Sequence, residues 1–522
     1  MDRRSFLRGA TVVGSGLIAG GVAAACSSPS TQSSNAGGGT TSTSTPTHTE
    51  QGPPDWSKLA ASLVGPLLQP GDSGYAAAGH LYNALYTPGA AAIAQCGPVS
   101  DVQRCLAFAR EHNVQVAARS GGHSYGGYSS CPGLVIDVSS MDAISVGGTA
   151  GSNQTLVTVG AGNELIDVYS TLAAHHLLLP GGSCPTVGIA GLALGGGVGV
   201  FSRAYGLTCD QLTDVEIVTA DGMLHRSGPG QDEDLYWASR GGGGGNFGVV
   251  TSFGFRTQPM PEAITLFTLE WPWGAADDVL NAWLRWIPSA PDELWANCQL
   301  FSSGTVGGGL VKVTGVFVGS VSACSAALAP LTSAVSDGTT YRFVGPEDYL
   351  TATMIEAGCE GKPVAQCAAP VQSPFAAKSS YIGGPLPENA VTAIVSALSS
   401  LPASLPGAGG GVVFDGYGGV INQVGASETA FVHRSATACA QYSVTYASTP
   451  PSQSATSAAS AWLEHLHNVF EPTTQGSYQN YIDPTLSDWQ QAYYGSNLPR
   501  LQHVKREYDP DNVFHFAQSI PT

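Results

Sequence analysis

Apolar residues recur at two spacings along the chain, and the switches between them mark its elements. Leu59, Leu63 and Leu67 fall at helical spacing and predict a helix over 56–68, while Val102, Leu106 and Ala109 predict an amphipathic helix over 99–112. Short apolar runs bounded by glycine or polar residues predict strands at 90–94, 114–118, 133–137 and 155–162. A helical pattern at 164–176, a strand with a tight turn at 214–222 and a short helix at 232–240 complete this α/β or α+β portion. From about Ile264 the texture changes. Strands at 265–271, 296–302 and 310–317 alternate with helices at 275–286, 320–328 and 389–399, the pattern of a sheet backed by helices. The stretch 478–520 carries turn and helix signals of its own. No internal repeat is evident.

Two glycine-rich stretches interrupt this pattern. Arg119-Ser120-Gly121-Gly122-His123-Ser124-Tyr125-Gly126-Gly127-Tyr128-Ser129 follows the strand at 114–118. Its glycines allow positive φ and let successive N–H groups point into one concavity, the composition of a phosphate cradle. The second stretch, Pro180-Gly181-Gly182-Ser183-Cys184-Pro185-Thr186-Val187-Gly188, runs into Gly191-Leu192-Ala193-Leu194-Gly195-Gly196-Gly197-Val198-Gly199. One imidazole and one thiol, each in a loop poor in side chains, are candidates to grip a single ligand from two sides.

Composition narrows the field. Charged residues are only 11% against 67 glycines, which indicates a loop-rich globular protein, and 20 Lys+Arg against 38 Asp+Glu give a net charge of −18 that makes nucleic acid an improbable partner. Residues 1–26 read as a twin-arginine signal: Arg3-Arg4 precede a short apolar run and Ala23-Ala24-Ala25. Cys26 then offers a lipid anchor, with simple cleavage after Ala25 as the alternative, and the expected location is extracellular or at the cell surface. Residues 27–54, rich in Ser, Thr, Gly and Pro, read as a linker that cannot form a core. Of the eleven cysteines, Cys359 and Cys367 could close a small disulfide loop. No cysteine or histidine set has zinc spacing, so no metal is expected.

Two short motifs fail on context. Gly122-His123-Ser124-Tyr125-Gly126 fits the G-x-S-x-G nucleophile elbow, which a helix must follow, yet glycines, a proline and a strand follow here. Gly243-Gly244-Gly245-Asn246-Phe247-Gly248 fits G-x-G-x-x-G, but helix and strand stand in reversed order, which rejects a Rossmann site.

Taken together, the His123 and Cys184 loops, Asn246-Phe247-Gly248-Val249-Val250-Thr251, Phe375-Ala376-Ala377-Lys378-Ser379 and Tyr508-Asp509-Pro510-Asp511-Asn512-Val513-Phe514 resemble the berberine bridge enzyme-like FAD-linked oxidases of the vanillyl-alcohol oxidase superfamily. The resemblance runs in order from about Trp56 to the end. It implies an α+β fold: a two-part FAD-binding domain (55–262) of the PCMH type, a substrate domain with a helix-backed sheet (263–475), and a C-terminal segment (476–522) returning to the cofactor.

It further implies FAD attached twice, through His123 to the flavin 8α-methyl and through Cys184 to flavin C6. Arg119, Ser120, Gly121, Gly122, Ser124, Thr186, Val187, Gly188, Gly191, Gly195, Gly196, Gly199, Gly248, Val250, Tyr478, Asn480 and Asn512 would complete the cofactor site. Tyr478-Gln479-Asn480-Tyr481 matches the family's Tyr-x-Asn-Tyr, which makes Tyr481 the expected base with Lys378 and Gln441 as helpers, since a tyrosine needs cationic or hydrogen-bonding neighbours to ionise. Gln423 is taken to occupy the position of the glutamate of alkaloid-oxidising members, and Val198 stands where many plant members carry tyrosine. Val187 is the small residue of oxygen-reactive members. The expected reaction is oxidation of a sugar hemiacetal, oligosaccharide or glycoside hydroxyl with oxygen as acceptor and hydrogen peroxide as product. The alternatives are tailoring of a glycosylated secondary metabolite, a dehydrogenase with another acceptor, and a cell-surface binding protein that has lost turnover.

Overall fold

The first sheet is small: Ala92–Gln95, Leu134–Asp137 and Val116–Arg119 run parallel, and Leu67–Leu68 adds an antiparallel edge. In this computed structural model the described residues are 54–522 apart from 88, 151–153, 304–307, 336–337, 357–365, 367–371, 403–404 and 406–408. The expected signal and linker, Cys26, Cys359 and Cys367 lie outside them. The helix Val99–His112 packs Val102, Cys105, Leu106 and Ala109 inward, as its periodicity predicts. The helix expected over 56–68 stops at Ser62. Gly65-Pro66 ends it, because proline cannot continue a helix, and Leu67–Leu68 becomes the edge strand instead. The His123 loop therefore leaves the carboxyl end of a parallel strand, the place where open α/β sheets bind ligands.

A second, antiparallel sheet follows in the order Ile144–Ala150, Gln154–Gly160, Val249–Pro259, Leu212–Val218, Leu224–Ser227. The third sheet has seven antiparallel strands: Tyr341–Glu347, Ile264–Trp271, Gly309–Val318, Leu294–Ser302, Gly410–Gly416, Ala438–Thr445 and Phe375–Ile382. Four helices cover one of its faces, Ala276–Trp286, Val321–Ala334, Glu388–Ser399 and the long Gln453–Phe470, whose Trp462, Leu463, Leu466 and Phe470 enter the shared core.

Period-two alternation decides what the opposite face carries. Leu294, Ala296, Cys298, Leu300, Val412, Phe414, Ala440 and Tyr442 point into that core. Trp295, Asn297, Gln299, Val413, Asp415 and Gln441 consequently point the other way, into a cavity shared with the glycine loops.

The C-terminal segment closes the unit Asp55–Thr522. In the helix Leu498–Tyr508 the ammonium of Lys505 meets Asp509 at 2.6 Å with both side chains fully buried, and it also donates to the carbonyls of Asn246 and Phe514. Asp509 in turn accepts the N–H groups of Val513 and Phe514. The Asp-Pro-Asp-Asn run is thus a knot that ties the end of the chain to the glycine loop at Asn246, whose Oδ1 accepts the Ile520 N–H.

Removing one partner of such a pair strands a buried charge. Lys505→Met is expected to lower the unfolding free energy by about 3 kcal/mol, measured by urea denaturation of the purified holo-protein. A loss under 1 kcal/mol would show that the knot holds without its ion pair.

Candidate active site

A cavity of about 510 Å³ lies between the two glycine loops, the seven-stranded sheet and the C-terminal segment. Its walls include Arg119 to Tyr125 from the first loop, Cys184, Val187 and Gly188 from the second, and Tyr478 to Ile482 from the C-terminal segment. The two loops touch through bare backbone: a Cβ on Gly121 would stand 2.3 Å from the Gly188 nitrogen and 2.8 Å from the Thr186 carbonyl oxygen. That contact brings His123 and Cys184 to one place. His123 Nε2 lies 2.9 Å from the Thr186 hydroxyl, and Cys184 Sγ lies 3.9 Å from the same oxygen.

Burial sets the chemistry of both groups. It lowers the His123 pKa to about 4, so the imidazole is neutral and nucleophilic at ordinary pH. Tyr82 stacks on the ring with centroids 4.1 Å apart and planes 17° apart. Burial raises the Cys184 thiol, and hydrogen bonding from Thr186 opposes the rise.

Tyr481 forms another part of the wall. Its ring stacks on Tyr125 at 5.4 Å and 16°, and Gln441 donates to the Tyr125 hydroxyl at 2.7 Å. Burial pushes the Tyr481 phenol well above the ordinary tyrosine value, and the Asp415 carboxylate adds to it.

Comparison with known proteins gives this arrangement its context. Residues 90–228 match the family model of an FAD binding domain, and residues 477–521 match the model described as berberine and berberine like. The chain is 34% identical to the uncharacterised FAD-linked oxidoreductase YgaK of Bacillus subtilis, over 82% of this chain and 90% of the relative. The chain belongs to the berberine bridge enzyme-like FAD-linked oxidoreductases. Among solved structures, a chitooligosaccharide oxidase superposes with a TM-score of 0.79 at 27% identity, covering 89% of this chain and 98% of the other. The glucooligosaccharide oxidase of Acremonium strictum, described with 6-S-cysteinyl, 8α-N1-histidyl FAD, gives 0.79 at 26% identity with the same coverage.

The residues of this berberine bridge enzyme-like protein fit a flat dinucleotide. Gly191 lines the cavity, and a Cβ there would meet nothing within 4 Å; one on Gly244 would meet nothing nearer than 3.8 Å. Each leaves space against bare backbone for a ring system or a phosphate. Arg119 also lines the cavity, pairs with Asp137 at 2.7 Å and has an Nη1 with no partner among the described residues.

Of the expected cofactor residues, Ser120, Gly122, Ser124, Val187, Gly188, Gly199, Gly248, Val250, Tyr478 and Asn480 all line the cavity. Gly195 and Gly196 stand behind it. A Cβ on Gly195 would strike the Asn480 amide at 1.9 Å, and one on Gly196 would strike Phe431 at 2.9 Å, so their role is to admit neighbours. Thr186, buried behind Cys184 and Val187, and Asn512 are also outside the lining. Asn512 takes a φ of 51° and accepts the His515 ring N–H at its carbonyl, which makes it a turn residue of the C-terminal knot.

Two expectations about the acid–base residues are corrected. Lys378 does not reach Tyr481: its ammonium is held by Asp483 at 2.7 Å, Thr485 at 2.8 Å and Glu464 at 3.3 Å. Gln423 is exposed and donates to Asp292, so it says nothing about which carboxylate serves the cavity. That carboxylate is Asp415, on the strand Gly410–Gly416. The alternation Val413, Asp415 beneath the Gly418-Gly419 turn was the signal for it. Among the described residues no group of three metal-type ligands occurs, and no helix is long and apolar enough to cross a membrane.

If Gly191 keeps the space a flavin needs, Gly191→Leu folds normally and excludes the cofactor. The ratio of flavin to protein absorbance is expected to fall at least about tenfold with the circular-dichroism spectrum unchanged. Normal flavin content would place the ring elsewhere.

Proposed function

We propose that this protein oxidises a hydroxyl-bearing carbon of a saccharide or glycoside. FAD is held by bonds from His123 and Cys184, and dioxygen serves as acceptor with release of hydrogen peroxide. The observation that carries the reading is that His123 and Cys184, which line the same cavity as Tyr481, converge on the hydroxyl of the buried Thr186 behind it. The likeness to oligosaccharide oxidases, one of them with a doubly attached flavin, supports it.

The bound flavin supplies the hydride acceptor. Everything else falls to the chain. Tyr481 takes the hydroxyl proton as the hydride leaves, and Asp415 receives the phenol's own proton, so no separated phenolate has to form. Tyr125 holds the Tyr481 ring by stacking and is itself held by Gln441. Asn297 and Gln299 lie two residues apart on one strand face, and the Gln299 amide donates to Asn297 Oδ1 at 3.1 Å, so the pair presents amide donors and acceptors side by side to the hydroxyls of a sugar. The small side chain of Val187, which lines the cavity as Cys184 does, supports dioxygen as the acceptor. The twin-arginine start supports export, with Cys26 as an anchor to the cell surface.

A panel of neutral mono- and oligosaccharides tests the reading. The expected result is flavin bleaching without air and peroxide release in air. Bleaching without peroxide would replace dioxygen by another acceptor; no bleaching with any hydroxyl compound, including glycosylated metabolites, would overturn the oxidation itself. Tyr481→Phe and Asp415→Asn are each expected to slow the bleaching step at least about 100-fold with flavin content unchanged, as followed by stopped-flow absorbance.

A further inference from the structure

A hydroxyl has one hydrogen to give and two lone pairs to accept with. The Thr186 hydroxyl stands where both are of use, 2.9 Å from His123 Nε2 and 3.9 Å from Cys184 Sγ. We propose that Thr186 is the positioning residue for flavin attachment: it accepts the Nε2–H of His123, which leaves the Nδ1 lone pair for the flavin methyl, and it gives its own hydrogen to Cys184 Sγ as that sulfur bonds to C6. The inference rests on the double attachment proposed above.

Three features hold Thr186 to this task. First, the residue is buried and its loop is pinned on both sides: Ile166 N–H donates to the Pro185 carbonyl and Leu165 N–H to the Val187 carbonyl, each at 3.0 Å. Second, Gly121 and Gly188 have no side chains, so the two loops approach closely enough to put Thr186 against the imidazole. Third, Tyr82 stacks on the ring, with centroids 4.1 Å apart, and holds the plane of the imidazole beside the hydroxyl. The nitrogen left with the lone pair in a neutral imidazole is decided by the hydrogen bond at the other one. For the thiol, which burial makes reluctant to ionise, a donated hydrogen bond favours the sulfur anion that must form.

The chemistry balances with dioxygen as oxidant. Each attachment replaces one flavin C–H by C–N or C–S. The hydrogens of that C–H and of the imidazole or thiol leave as protons, and the two electrons remain on the ring until dioxygen takes them up with those protons as hydrogen peroxide.

Wild type, Thr186→Ser, Thr186→Val and Thr186→Ala are compared by acid precipitation, proteolysis and mapping of the flavin to the peptides containing His123 and Cys184. Wild type and Thr186→Ser are expected to be linked at both. In the valine and alanine variants the doubly linked fraction is expected to fall about tenfold, with chains linked at one residue in its place. Two different replacements guard against a folding fault in either. Doubly linked flavin at the wild-type fraction in both variants, or its loss in the serine variant, would overturn the role of Thr186. A wild type carrying no link would instead overturn the attachment reading, and this one with it.

Discussion

Among the described residues the fully buried Arg203 has no carboxylate within hydrogen-bonding distance, and the cavity depends on where it reaches. It belongs to the short helix Ser202–Tyr205, just beyond the cavity-lining residues Val198, Gly199 and Val200. Its guanidinium donates to the carbonyls of Leu294, Ala290 and Tyr417. Leu294 starts the strand that carries Trp295, Asn297 and Gln299, and Tyr417 directly follows the strand that carries Asp415. One side chain next to the second glycine loop thereby sets the roots of two strands of the seven-stranded sheet. Burial lowers its pKa only to about 10, so it keeps its charge and its donors. Gly418 shows how tight the joint is: φ is 107°, and a Cβ there would stand 2.5 Å from Arg203 Nη1.

Other buried pairs cross the same joint. Arg434 binds both oxygens of Asp210, at 2.6 and 2.9 Å, and Lys378 binds Asp483. A buried ion pair adds little net stability over an apolar replacement, but it penalises every misaligned docking that would leave one charge unpaired. Register suits a site assembled from four separate stretches of chain. A displacement of one residue along the strand Leu294–Ser302 would turn Asn297 and Gln299 into the core and bring Ala296 and Cys298 to the cavity.

Local pattern made much of this legible. The amphipathic helix Val99–His112 lies where its apolar spacing put it, and the glycine loops betrayed themselves because only glycine tolerates such close backbone approach. The strands Gly410–Gly416, Ala438–Thr445 and Phe375–Ile382 and the helix Gln453–Phe470 went unread. Small alanines, serines and glycines blur the strand alternation, and the helix opens with polar Gln-Ser-Ala-Thr-Ser before its apolar stripe begins. Partnership is harder still. Nothing in Phe375-Ala376-Ala377-Lys378-Ser379 announces that Asp483, 105 positions onward, will claim the lysine. A motif fixes which side chains can act, whereas tertiary pairing decides which remain available.

That distinction bears on how a tyrosine can serve as a base. Stabilising a phenolate requires a nearby cation or several donors, yet the candidate cation is spent on Asp483 and the charge that acts on Tyr481 is the negative one of Asp415. Burial and that carboxylate both disfavour the ionised phenol, so a mechanism that stored a free phenolate would work against the site's electrostatics. A relay has the opposite requirement. The phenol stays neutral throughout if it passes its proton on as it receives one, and the negative charge beside it is discharged by the same event. The raised pKa is then no obstacle, because the acceptor whose basicity matters is the carboxylate. The proposed relay therefore turns the absence of a cation at Tyr481 among the described residues into a condition of the chemistry, and it explains why Lys378 can be used to fasten the sheet to the C-terminal segment.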